Sequence, residues 1–274
     1  MTRAFFRRLG PHRFEPTPHT GGAWSATEQH VSPLAGLLVH EIEAERSRRD
    51  RPTLLASRIS VDILGPIAFS PFEIRVDILR PGRTIELVQA TAMIDGRDTV
   101  TARAWFACVE DTDAAAGGEP ERLPAPDALA EWPLSQVWEG GYIASIDMRP
   151  IGIPQPGRTT AWVSTDVELL AGEPVSELAA YIGLVDTANG IAVRQEPAKW
   201  LFPNLDLTIH LYRQPVGEWV GLDTTVVFGR DGQGVTSSVL HDLDGPVGIA
   251  QQTLTVRPRE VGQLTTEAPT SASA

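Results

Sequence analysis

Apolar positions along the chain follow two different periods, and the switch between them occurs twice. In VSPLAGLLVHEIEAERSRR, Leu34, Leu37, Leu38 and Ile42 recur at helical spacing, which predicts one long amphipathic helix whose charged end stops it in solvent. After it, ISVDILGP and FEIRVDILRPGRTIELVQATAMIDGRDTVTARAWFACV alternate apolar with polar residues and are broken at PGR and DGR. A two-residue period punctuated by glycine turns predicts antiparallel strands joined by hairpins. The second half repeats the order: a helix from about Val175 to Asp186, the strand LDLTIHLYR, then EWVGLDTTVVFGRDGQGVTSSVLHDLDGPVGIAQQTLTVRP with turns at GRDGQG and LDGP. Helix, strand and hairpin meander occurring twice point to an internal duplication. The expected architecture is α+β, with two long antiparallel sheets, each wrapped on a central helix and joined edge to edge.

Between the halves, EDTDAAAGGEPERLPAPDALAEWP is rich in Asp, Glu, Ala, Gly and Pro and reads as a linker. The expected division is therefore an N-terminal unit over residues 1–110, a linker over 111–138, a second unit over 139–258 and a disordered tail over 259–274, where large apolar residues are scarce. A length of 274 residues accommodates two fused units. The start, MTRAFFRRLG, lacks the apolar core of ~7 to 15 residues of a secretory signal. No stretch reads as a membrane span. Together with a single cysteine, Cys108, this predicts a protein of the reducing cytoplasm. Acidic residues outnumber basic ones by 35 to 23, which argues against binding nucleic acid or an anionic membrane. An anionic ligand would need a local cluster of arginines, since Lys199 is the only lysine.

Candidate chemistry narrows by elimination. The chain contains no G-x-S-x-G elbow, no H-E-x-x-H pair and no glycine-rich phosphate loop, and its histidines form no metal-binding spacing. Cys108 reads as a small buried hydrophobe at a strand end, and His210 and His241 as surface or packing residues. Direct attack by water needs a base and donors that orient it. Asp186 is the first candidate, because it flanks the apolar stripe Leu178, Tyr181, Ile182 and Val185. Burial there would raise its pKa and amide donors would lower it; the sequence leaves the balance open.

These segments, taken in order, resemble a known family. GGAW with EQH shortly after it, VDILRPGRT, IDMRPIG, AYIGLVD, PNLDLTIHLYR, EWV and DGPVGIAQQTLTVR run from about Pro16 to Arg257 and are similar to the tandem (double) hotdog acyl-CoA thioesterases, particularly the bacterial TesB-like and thioesterase-like group. The resemblance implies hydrolysis of an acyl-CoA to free acid and CoA by Asp-assisted attack of water, with no cofactor and with association into homo-oligomers. Family members use an Asp at the end of the second central helix, a Thr on the adjoining strand and a Gln on the last strand. The first falls on Asp186. The threonine position holds Asn204, a departure, because an amide donates a hydrogen bond with a different reach. The glutamine falls on Gln252, with Gln251 as the alternative; the two point to opposite faces of a strand. Trp24 and His30 fall near the family's substrate channel. Arg194 and Arg213, together with Arg149 and Arg158, are candidates for the CoA phosphates. An acyl tunnel is expected near Trp200, Leu201 and Phe202.

Asp206 reads as a structural cap. In the first-half helix, His40, Glu41 and Glu43 read as a solvated face, so one working site is expected. Asn204 keeps an alternative open: a hotdog protein that binds acyl-CoA or a lipid-like ligand without turnover. A hydratase on the same fold fits less well, because it pairs Asp with a nearby His, and none follows Asp186 before His210.

Overall fold

The computed structural model describes residues 3–49 and 53–259; from residue 260 onward, the expected tail lies outside the described residues. The first half comprises strands β1 (Ala4–Gly10) and β2 (Arg13–Pro16), helix α1 (Val31–Ser47), then β3 (Leu54–Ile63), β4 (Phe72–Arg80), β5 (Ile85–Ile94) and β6 (Arg97–Cys108). The second half begins with β7 (Asp147–Pro150), β8 (Arg158–Ser164) and β9 (Glu168–Leu170), followed by helices α2 (Glu177–Val185) and α3 (Ala188–Ile191). It ends with β10 (Trp200–Leu201), β11 (Asp206–Leu211), β12 (Val220–Phe228), β13 (Gln233–Asp242), β14 (Gly245–Thr255) and β15 (Arg257–Pro258).

The hairpin turns fall where the sequence places them. Between β5 and β6, Asp95 and Gly96 both take positive φ (51° and 75°), the backbone of a tight two-residue turn that matches strand twist and favours Asp-Gly. In place of two sheets, thirteen strands form one, in the order β7-β8-β12-β13-β14-β11-β3-β6-β5-β4-β2-β1-β9, while β10 and β15 make a separate ribbon. The seam is β11 against β3, antiparallel from Asp206↔Asp62 to His210↔Arg58. The short strands β1, β2 and β9 carry too little alternation to be read from sequence. Nevertheless, β1 bridges the halves, pairing with β2 on one edge and in parallel with β9 on the other. The expected linker holds only short 3-10 turns, and Leu134 and Trp138 at its end are buried in the common core.

The sheet packs against α1 through β4, β5 and β6 and against α2 through β12, and the two helices run antiparallel, with Glu43 near the end of α1 meeting Ser176 at the start of α2. Their closest approach is glycine on glycine: a methyl group added at Gly36 would stand 2.6 Å from the Ala179 carbonyl oxygen and 2.9 Å from the Gly183 Cα. Gly36→Ala is therefore expected to lower Tm despite a gain of about 1 kcal/mol in helix propensity, since overpacking against backbone costs about 1–3 kcal/mol. Thermal unfolding followed by circular dichroism checks the sign.

The face of α1 expected in solvent is instead partly buried. Glu41 is 1% exposed because β1 brings Arg8 onto it, at 2.8 Å, while Arg8 Nε also holds Glu173. Glu43 accepts a 2.5 Å hydrogen bond from Ser176, the N-cap of α2, and burial raises its pKa against that bond. Cys108, expected to be buried, is only partly covered at the end of β6.

Candidate active site

Asp186 caps the C-terminus of α2. The stripe Leu178, Tyr181, Ile182 and Val185 anchors the helix in the core and carries its last residue inward with it, so that the Asp186 side chain is only 3% exposed. Two amides meet one of its oxygens. Asn204, just ahead of β11, donates from Nδ2 to Oδ1 at 2.7 Å, and Gln252 in β14 donates from Nε2 to the same oxygen at 2.8 Å. In β14 burial alternates: Ala250, Gln252 and Leu254 face inward, while Gln251 and Thr253 face outward. Strand alternation thus separates the two glutamines and leaves Gln251 on the opposite face from Asp186. Asp206 takes no part in this cluster through its carboxylate; its Oδ1 accepts from the Thr253 backbone N–H at 2.6 Å, tying the entry of β11 to β14.

Desolvation outweighs the donors. Burial raises the Asp186 pKa to about 6, although Gln252 and Asn204 favour the ionised form and the charge of Asp206 disfavours it. The helix C-terminus adds a negative end beside the carboxylate. His30 is the N-cap of α1, and its Nδ1 accepts the Ser32 N–H at 3.1 Å. Its ring stacks on Tyr142 with centroids 4.2 Å apart. The same Nδ1 stands 3.8 Å from Asp186 Oδ2, but this is not an ion pair. Burial takes the His30 pKa down to about 3, and the Nδ1 lone pair is already used, so the hydrogen of the neutral ring resides on Nε2. Tyr142 Oη joins the two helix ends, lying 3.1 Å from Ser32 Oγ and 2.6 Å from Thr187 Oγ1.

Asp186, His30, Asn204 and Trp24 line one cavity of about 120 Å³, whose walls also include Val31, Ile63, Ile67, Trp138 and Asn189. Trp24 meets Trp138 edge-on at 4.7 Å and Phe202 at 5.0 Å. Trp200 and Leu201, expected beside an acyl tunnel, instead form the ribbon with β15, while Phe202 backs the aromatic wall. Arg194 and Arg213, expected at the CoA phosphates, are not among the residues lining this cavity. Arg213 is committed to Asp242 through both terminal nitrogens, at 2.6 and 2.5 Å, and to the carbonyls of Gln214, Gly245 and Pro246. Arg194 rests against the Val226 carbonyl and Gly157. Among the described residues no group of three or more His, Cys, Asp or Glu could hold a metal ion, and no helix is long and apolar enough to cross a membrane.

Several side chains of the site were missed in the sequence, three of them instructive. Trp138 fell in the supposed linker. Tyr142 arrives from a 3-10 turn with no periodic signal. Asn189 carried a usable one: it lies three residues after Asp186, the spacing that brings side chains to the same side of a helical turn.

The architecture is that of the hotdog fold. The family model described as the acyl-CoA thioesterase N-terminal domain matches residues 20–107, and that of the acyl-CoA thioesterase C-terminal domain matches residues 118–256. The chain belongs to the acyl-CoA thioesterase family and is a thioester hydrolase. No curated protein matches the sequence. Among solved structures, a protein of unknown function with a hot dog fold from Alicyclobacillus acidocaldarius is 15% identical, with 91% of this chain and 95% of that one covered and a TM-score of 0.70. The acyl-CoA thioesterase II TesB2 from Mycobacterium marinum is 16% identical over 93% and 96% of the two chains, with a TM-score of 0.62. A protein from Thermobifida fusca with a provisional thioesterase II assignment is 19% identical over 93% and 98%, with a TM-score of 0.70. At these identities the likeness is one of fold.

Proposed function

We propose that the protein hydrolyses an acyl-CoA by direct attack of water, with Asp186 as general base. The observation that carries this reading is a buried carboxylate on a cavity wall, with one oxygen held by two amides. Asn204 and Gln252 fix Oδ1 and leave Oδ2 to accept a proton from water. The water oxygen then bonds to the thioester carbon. As the tetrahedral intermediate collapses, the carbon–sulfur bond breaks and the proton held on Asp186 returns to the leaving thiolate, giving the free acid and CoA. His30 offers a neutral N–H on Nε2 to the carbonyl oxygen where negative charge develops. Asn204 in place of a hydroxyl residue is compatible with this arrangement, since the contact needed is a donor to Oδ1 and an amide supplies it.

The reaction has a pH signature. A base with a pKa of about 6 is inactive when protonated, so kcat/KM is expected to rise tenfold per pH unit below about 6 and to level off above it. Thiol release from acyl-CoAs, followed across pH 4.5 to 9, tests this. A flat profile through pH 6 argues against Asp186 as the base, and absence of thiol release across short, medium, long and aromatic acyl groups argues against turnover altogether.

A further inference from the structure

Trp138 and Gly190 meet in the wall of the cavity around Asp186. Trp138 donates its indole N–H to the Gly190 carbonyl at 2.9 Å, and its ring lies against the Gly190 backbone so closely that a methyl group added there would stand 3.5 Å from Nε1. Trp24 and Phe202 brace the ring edge-on. Gly190 also lines a second, solvent-open hollow of about 190 Å³, mainly apolar, with Leu134, Val137, Ile191 and Val193 in its wall and the exposed Gln155 and Pro156 at its rim. Gly190 belongs to the walls of both. The two spaces therefore adjoin at Gly190, and Trp138 stands in the wall of the one around Asp186.

We infer that Trp138, seated on Gly190 and braced by Trp24 and Phe202, sets the acyl-chain limit of this enzyme and confines it to short acyl groups. This inference rests on the hydrolase reading of the Asp186 site. An apolar cavity of ~150 Å³ holds one benzene ring, so about 120 Å³, part of it at the polar mouth, holds an acyl tail of about four carbons. A longer tail must displace an indole that is hydrogen-bonded at one end and packed against aromatic rings at the other. Removing the ring enlarges the catalytic cavity by the space of an indole and brings the second cavity within reach across the bare Gly190 backbone.

The test is a chain-length series of acyl-CoAs from acetyl to dodecanoyl with wild type, Trp138→Ala and Trp138→Phe. In wild type, kcat/KM is expected to peak at or below four carbons and to fall at least about tenfold by eight, the scale on which pocket fit discriminates methylenes. Trp138→Phe keeps the bulk and the profile; Trp138→Ala moves the optimum to six carbons or longer. Affinities of the same acyl-CoAs for Asp186→Asn, measured by calorimetry, should rank in the wild-type order whether or not turnover occurs, which separates failure of the gate from failure of the hydrolase reading. Equal kcat/KM for butanoyl- and dodecanoyl-CoA, equal affinities across the series, or an unchanged profile in a folded Trp138→Ala would each overturn the assignment.

Discussion

Asp186→Asn is expected to lower kcat/KM for the best acyl-CoA by about 10²- to 10⁴-fold, the range that a positioned general base supplies, while leaving the protein at least as stable as wild type at pH 7.5. The two effects have opposite signs for one reason. The folded pKa of Asp186 is raised to about 6, chiefly by burial, above the ~3.9 of an unfolded aspartate. The unfolded chain therefore gives up this proton more readily, and folding is penalised once the group ionises. That penalty sets in as pH rises from about 4 to about 6 and is then constant, on the order of 3 kcal/mol. Asparagine carries no charge, and its side-chain oxygen can accept the same two amide donors from Asn204 and Gln252. Its nitrogen then occupies the place where the base oxygen stood. Steady-state kinetics and thermal unfolding on the same preparation check both signs; a variant that loses activity together with a large fall in Tm would indicate a folding residue.

The second large effect is structural. Arg213→Met is expected to destabilise the protein by about 1–3 kcal/mol, the loss that follows when a buried carboxylate loses a hydrogen-bonding partner that is itself 30% exposed. The Asp242 carboxylate has no solvent exposure and receives both arms of the guanidinium, together with the backbone N–H groups of Val216 and Asp244. Without Arg213 the carboxylate keeps only the two backbone N–H donors. Denaturant titration should show the lower midpoint, and KM for acyl-CoA should stay within about twofold of wild type at a temperature where the variant is folded. A residue that binds CoA phosphate would give the opposite pattern, a raised KM with an unchanged midpoint.

Elements with a strong local period were legible in the sequence. Leu34 to Ile42 gave α1, Leu178 to Val185 gave α2, and the long meanders betrayed themselves by alternation and by turns such as Asp95-Gly96. What escaped were features made by distant partners. Glu41 looked solvated because nothing near it in sequence says that Arg8 arrives across β1. The two sheets proved continuous because β11 and β3 share an edge, a pairing that no local pattern specifies. Trp138 was hidden by composition, since a stretch rich in Pro and Ala can still end in the core. At the candidate site, the choice between Gln251 and Gln252 waited on the inner face of β14. The balance of desolvation and amide donors at Asp186 depends on depth, which periodicity placed only at a boundary and the fold made complete.

The parallel pairing of β1 with β9 has a consequence for how the protein is made. Ala4 meets Glu168 and Phe6 meets Leu170, so the outer edge of β1 stays open until roughly 160 further residues have been synthesised. At ~5–20 residues per second that interval is about 10 to 30 s. Throughout it, an unpaired edge bearing Phe5 and Phe6 can template association with another chain. Arg7 and Arg8 follow directly in this strand, and charged residues of that kind on an open edge oppose such pairing. Arg7 and Arg8 thus oppose pairing at that edge before its closing strand exists.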